Sequence, residues 1–180
     1  MAKLSAETRG DMVKVPPFFK DRVIQRVLDC ELTTGKKSGK PQFKVETEIV
    51  SPDVMEIAGE KYVLAGQKIT YYLGLNTEVA AGARQSAWAN TFEFLTKLGL
   101  KTDWDTDDES FGKEFSEMLT GVTFDNILNS QEDAPTKPDG KGGWTPILDA
   151  RGKPIKNGFV WNSFLNNVIG KCEVETNRAY

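Results

Sequence analysis

Two β-prone runs, FKDRVIQRVLDCELTT at 19–34 and FKVETEIV at 43–50, are joined by GKKSGKPQ. This pairing restricts the fold more than any other feature of the chain. The second run alternates strictly. Phe43, Val45, Thr47 and Ile49 share one face, and Lys44, Glu46 and Glu48 the other. In the first run Ile24, Leu28, Cys30 and Leu32 are read as one face, with Arg26 as the exception. A bulge near Arg26 and Val27 is expected to reconcile them. The connection has glycine and serine turn chemistry. A long hairpin with a purely basic tip follows.

Downstream, KYVLAGQKITYYLGL (61–75) gives further strand, with Ile69, Tyr71 and Leu73 on one face and Lys68, Thr70 and Tyr72 on the other. ARQSAWANTFEFLTKL (83–98) reads as a helix with a stripe of Ala87, Thr91, Phe94, Leu95 and Leu98. The following Gly99-Leu100 is a stop signal. FGKEFSEML (111–119) predicts a short helix. TGVTFDNILNS (120–130) predicts a strand with Val122, Phe124, Asn126 and Leu128 on one side. Residues 131–157, rich in proline and glycine, are expected to form one long loop, with room for a small hairpin through PILDARGKPI. The last strand is placed in NGFVWNSFLNNVIGKCEV, with a helical turn allowed inside it.

The 180 residues suit one domain. Its expected parts are an arm at 1–17, a domain at 18–175 and a short tail at 176–180. The domain carries an acidic insertion at 102–116 and a long basic loop at 131–157. The order is three strands, helix, strand, long loop, strand. That is the order of a mainly β, five-stranded OB-fold barrel, with one helix between strands 3 and 4 and a long loop between strands 4 and 5.

Histidine is absent, which removes Ser-His-Asp, Cys-His and HExxH chemistry. The two cysteines, Cys30 and Cys172, form no metal or disulfide pattern. No cofactor or metal is expected, and no enzymatic activity. No apolar run is long enough for a membrane helix, and the stretch MAKLSAETRGDMVKV lacks the apolar run of a signal peptide, so none is expected. The expected compartment is the cytoplasm, or the host cytoplasm for a phage protein.

Net charge is −3, but its distribution is uneven. Residues 102–133 hold ten acids and one base, whereas 1–50 and 134–180 are each net +3. The basic ends include Lys36, Lys37, Lys40 and Lys44 around the hairpin tip. They also include Arg151, Lys153 and Lys156 in the long loop. In an OB-fold barrel both segments would flank the binding face, where lysines meet phosphates and aromatics stack bases. Lys68, Tyr72, Trp144 and Trp161 complete the candidate nucleic-acid-binding set. Tyr62 and Phe159 would lie beside it. Glu46 and Glu48, facing outward, would repel phosphate. In the acidic stretch, Asp103, Asp105, Asp107 and Glu114 match EF-hand positions one, three, five and twelve. Asp108 stands where that loop needs glycine. A solvated acidic loop is the expectation there, with phosphate mimicry as the alternative.

RVLDCELTTGKKSGKPQFKVETEIV resembles the opening hairpin of phage-encoded single-stranded DNA-binding proteins with an OB-fold. FEFLTKLGL, LTGVTFD and FLNNVIGK follow in a similar order, over residues 18 to 175. The resemblance implies a sequence-tolerant single-stranded DNA-binding protein in phage replication or recombination. Its partners would be single-stranded DNA and replication or recombination proteins, with a dimer as one option for its oligomeric state. Many such proteins end in an acidic tail, whereas this chain ends KCEVETNRAY. Two alternatives stay open: a structural or protein-interaction module on the same barrel, such as a phage particle protein, and a metal-dependent nuclease using Asp103, Asp105, Asp107 and Asp108.

Overall fold

The computed structural model describes residues 14–172. Most of the expected arm and the expected tail lie outside the described residues. Strands β1 (Lys20–Thr34) and β2 (Pro41–Ser51) form the long antiparallel hairpin. A small hairpin of β3 (Val54–Ile57) and β4 (Glu60–Val63) follows, then β5 (Lys68–Gly74), which pairs with β2. After helices α1 (Ala87–Lys97) and α2 (Phe111–Leu119), strand β6 (Thr123–Glu132) pairs with β1. A second small hairpin, β7 (Thr136–Pro138) with β8 (Trp144–Pro146), precedes β9 (Phe159–Asn162) and β10 (Val168–Lys171). Both final strands pair with β6, and a 3-10 turn at Leu165–Asn167 separates them.

The main sheet runs β10-β6-β1-β2-β5, with β9 also on β6. It curls into a mainly β, nearly closed, barrel-like wall. Helix α1 contacts both end strands, β5 and β10, and so covers the gap between them. Its start is capped by the Ser86 hydroxyl, which accepts from the Ala89 N–H at 3.1 Å. Its end is a Schellman motif. Gly99, at φ +65°, donates to the Thr96 carbonyl, and Leu100 to the Leu95 carbonyl. The helix can lie close to β5 because Gly74 has no side chain. A Cβ there would sit 2.4 Å from the Ala87 Cβ. Thr91, Phe94, Leu95 and Leu98 of the predicted stripe are buried, whereas Ala87, at the helix start, is exposed. Helix α2 buries Phe111, Phe115 and Leu119, and stacks Phe115 on Phe43 at 4.1 Å.

Strands β2 and β5 follow the predicted alternation. Phe43, Val45, Thr47 and Ile49 point inward, as do Ile69, Tyr71 and Leu73. Strand β1 does not follow its prediction. Its buried residues are Val23, Gln25, Val27 and Cys30, while Leu32 is 46% exposed. The pairing register shifts between Ile24 and Gln25 and again between Val27 and Asp29. The second shift leaves Leu28 as the extra residue and moves the inward phase from odd to even positions. A bulge was expected nearby, but on the opposite phase. Gln25 misleads the reading, because a polar residue stands inside.

Gln25 belongs to a buried polar network that links four strands. Its amide Nε2 donates to the Thr47 hydroxyl at 2.9 Å, which donates to the Ile69 carbonyl at 2.8 Å. Its Oε1 accepts from the Tyr71 hydroxyl at 3.0 Å and from Asn126 Nδ2 at 2.8 Å. Asn126 Nδ2 also donates to the Tyr71 oxygen at 2.9 Å. At the barrel mouth, Arg22 grips Asp125 with two nitrogens, Nε at 3.1 Å from Oδ1 and a terminal nitrogen on Oδ2.

The expected single loop at 131–157 is ordered into two small turns. One is the β7–β8 hairpin, which the sequence reading missed. The other is closed by a bridge between Leu148 and Pro154, inside the segment where a small hairpin was allowed. Among the described residues no helix is long and apolar enough to cross a membrane.

Burial pushes the Tyr71 hydroxyl from its ordinary 10.0 up to about 12, against the opposing pull of its Gln25 and Asn126 hydrogen bonds. Burial also pushes the Cys30 thiol up to about 11. The unfolded chain then ionises these groups first, so stability is intact below their unfolded values and is lost as pH rises through the folded ones. Tyr71→Phe should cost ~1 kcal/mol at neutral pH. The gap in urea midpoint between wild type and variant should then narrow from pH 10 to 12. A gap that stays constant across that window would show that Tyr71 does not carry this dependence.

Candidate nucleic-acid interface

The tip of the β1–β2 hairpin is closed by Gly35 and Lys40, the Gly35 N–H donating to the Lys40 carbonyl at 2.8 Å. The Gly39 N–H returns to the Gly35 carbonyl, which requires the positive φ of +63° at Gly39. This tight loop holds Lys36 and Lys37 out in solvent. Behind it lies an open groove of about 580 Å³, lined among others by Thr33, Lys36, Lys37, Gln42, Lys44 and Tyr72. Three lysines and no acid line it. Tyr72 is 55% exposed, with its ring on the outer face of the sheet.

Trp144 reaches the same place from the far end of the chain. It is 63% exposed, and Lys37 Nζ lies 5.4 Å from its ring centroid. The turn that presents it is built on Asp139, whose Oδ1 accepts from the N–H groups of Lys141 at 2.7 Å and Gly143 at 3.0 Å. These bonds hold the Asp139 carboxyl below its usual range. The second turn repeats this device. Asp149 Oδ1 accepts from Arg151 N–H at 2.8 Å and Lys153 N–H at 3.0 Å. The shared pattern is Asp-x-Lys/Arg-Gly, with Gly142 at φ +87° and Gly152 at +75°. The two short matching strings, DGKGG and DARGK, are the sequence signal for ordered turns here, and the reading did not use it.

The structure gathers Lys36, Lys37, Lys44, Tyr72 and Trp144. It separates the other candidates. Lys40 is beside the tip and 4.0 Å from Glu78. Lys68 is four residues along β5 from Tyr72, roughly 13 Å. Arg151 and Lys153 are exposed on the second turn, and Lys156 pairs with Glu132 at 3.3 Å. Trp161 is half-buried. Its indole N–H donates to Gln67 Oε1 at 2.9 Å, and it packs edge-on against Phe19. Tyr62 is core, at 5% exposure. Phe159 lies against Phe18, with ring centroids 4.8 Å apart.

Charge on the outer face is ordered in rows across β1, β2 and β5. Next to the tip stands Glu31–Lys44–Tyr72, then Asp29–Glu46–Thr70, then Arg26–Glu48–Lys68. Lys44 Nζ lies 3.5 Å from Glu46 Oε1. The belly of this face is therefore close to neutral, Lys44 shares its charge with Glu46, and Lys36 and Lys37 extend beyond the rows at the tip. Arg26 completes the row of Lys68 and was treated only as a phase exception in the sequence.

Two of the acids at 103–109 close local turns. Asp105 accepts from the Asp107 N–H at 3.0 Å. Asp108 accepts from both the N–H and the hydroxyl of Ser110, which lowers its pKa. Trp104, within this stretch, lies under Lys101 and against Phe111. Among the described residues no group of three or more His, Cys, Asp or Glu side chains could hold a metal ion. Compared with family models, curated proteins and solved structures, the chain gives no match.

The two tryptophans should separate in a thermal melt. Trp144→Ala removes a solvent-facing ring and should leave Tm within about 2 °C. Trp161→Ala breaks the Gln67 bond and the Phe19 contact, a loss of ~2 kcal/mol, and should lower Tm by about 4–8 °C. Equal shifts would mean that Trp144 is held by packing rather than displayed.

Proposed function

We propose that this chain is a sequence-tolerant single-stranded DNA-binding protein with an OB-fold barrel, acting in phage DNA replication or recombination. The observation that carries this reading is the meeting of Lys37 with Trp144 beside Tyr72. Two exposed aromatic rings and three lysines share one end of the barrel, although they come from three distant segments. That is the chemistry a single strand needs: flat faces for bases and mobile cations for phosphates. The strand order β10-β6-β1-β2-β5 supports the OB-fold, because it is the order 5-4-1-2-3 of a five-stranded barrel of that kind. The position of α1 between the third and fourth of these strands supports it too. The resemblance of the first hairpin to phage single-stranded DNA-binding proteins supplies the biological setting.

One observation favours a second reading. Asp29, Glu31, Glu46 and Glu48 stand outward on the sheet, and carboxylates suit a basic protein partner better than phosphate. On that reading the barrel is an interaction module.

A labelled oligo-dT titrated at two salt concentrations decides between them. Single strands should bind better than duplex, with affinity falling steeply as salt rises, because bound lysines release counterions. Lys37→Ala and Lys44→Ala should each flatten the log–log slope by about one unit. Tyr72→Ala and Trp144→Ala should weaken binding by roughly 5- to 150-fold, the equivalent of ~1–3 kcal/mol per stacked base, and leave the slope in place. No binding to a long single strand at low salt would sink the reading and promote the interaction module.

A further inference from the structure

A second cleft adjoins the tip groove, and we propose that it is a nucleobase pocket that gives the protein a preference among bases. The proposal rests on the single-strand reading above. The cleft measures about 320 Å³, at the small end of ligand pockets. It shares Ser38 and Gln42 with the lysine-lined groove, so the two adjoin at the base of the hairpin. Its chemistry differs from that of its neighbour. The tip groove has three lysines and no acid. The cleft has one lysine and one glutamate, Lys40 and Glu78, which stand 4.0 Å apart. A phosphate entering here would meet Glu78 as well as Lys40. A neutral polar group would not be repelled.

The remaining walls suit such a group. Four amide side chains line the cleft: Gln42, Asn76, Gln85 and Asn90. Gln85 Nε2 donates to Asn90 Oδ1, which leaves Gln85 Oε1 as an acceptor and Asn90 Nδ2 as a donor. The Glu78 N–H uses Asn76 Oδ1, which leaves the Asn76 amide nitrogen as a donor. Amides carry donor and acceptor side by side and match the edges of bases. Ala80, Ala83, Ala87 and Gly74 supply the rest of the lining and keep the space open. Three of the polar walls, Asn76, Gln85 and Asn90, belong to β5's exit and the start of α1, where the Ser86 cap and the Trp88 N–H bond to the Asn76 carbonyl hold them in place. A strand whose phosphates lie on Lys36, Lys37 and Lys44 would pass Gln42 and could turn one base into this cleft.

The test uses the full chain and three labelled homopolymers of equal length, dT, dC and dA, at one salt concentration. Wild-type affinities should spread by about fivefold or more, the lower end of what one well-placed amide–base contact gives. Gln42→Ala and Asn90→Ala should compress that spread to under about twofold and leave the salt slope unchanged. Lys37→Ala should weaken all three strands alike. Melting curves on the variants confirm folding, and Gln42, which makes no side-chain hydrogen bond to a described residue, is the cleaner of the two. Equal wild-type affinities, or a spread that survives both substitutions, would overturn the pocket while leaving single-strand binding standing. Absence of any single-strand binding by the wild type would sink the underlying reading, and the pocket with it.

Discussion

Gln25 sets the geometry on which the rest of the molecule depends. A fully buried amide needs partners, because an unpaired polar group in a core costs on the order of 1–3 kcal/mol. Thr47, Tyr71 and Asn126 provide them, one from each of β2, β5 and β6. The network therefore ties β1 to its neighbours in one register. A slip by one residue would put Gln25 in solvent and take from Thr47, Tyr71 and Asn126 the partner they share. The outer face inherits that register. With Gln25 and Val27 inward and Leu28 bulged, Cys30 turns in and Glu31 turns out. Glu31 then stands in the row of Lys44 and Tyr72, next to the tip. What the barrel displays is fixed by what it satisfies inside.

The parts of the fold legible in the sequence are those where local chemistry and tertiary environment agree. Strand β2 alternates without exception, because one face meets core and the other water. Helices α1 and α2 carry apolar stripes at helical spacing, and α1 has a serine cap and a glycine stop. Strand β1 was misread because its inward residue at position 25 is polar and its bulge changes phase, so alternation points to the wrong face. The β7–β8 hairpin was invisible to hydrophobic patterning, because it buries almost nothing and is held by one aspartate folding back on its own turn. In the candidate site, the tip lysines and Trp144 could be named from composition. Their meeting could not, since nothing local brings residue 144 to residue 37. Trp161 was grouped with them because the expected strand order puts it beside the binding face. Its partner, Gln67, lies on the other side of the helices in sequence.

Charge and shape divide the tip into two chemical regions. Lysines without acids suit a polyanion, and their value falls with salt. Amides beside a neutralised Lys40–Glu78 pair suit uncharged donors and acceptors. The outward carboxylates on β1 and β2 bound both regions, since they make the belly of the barrel a poor place for a phosphate backbone. On the proposed reading, the strand is thereby confined to the hairpin end instead of crossing the whole sheet.

The contact between Lys37 and Trp144 has a consequence for how such a site would work. In the free protein the ammonium lies over the ring, an exposed cation–π contact worth ~0.5–1 kcal/mol. A base stacking on that ring is worth ~1–3 kcal/mol. On the proposed reading the exchange would be favourable, and it would release the lysine as a phosphate arrives beside the base. The Asp139 turn matters here. Two backbone bonds to one carboxylate fix the loop that carries Trp144, so less order remains to be imposed on binding. The lysine keeps its flexible stem and can follow the phosphate. On the proposed reading, a ring on a fixed turn paired with a mobile cation would let one residue serve the base and the other the backbone.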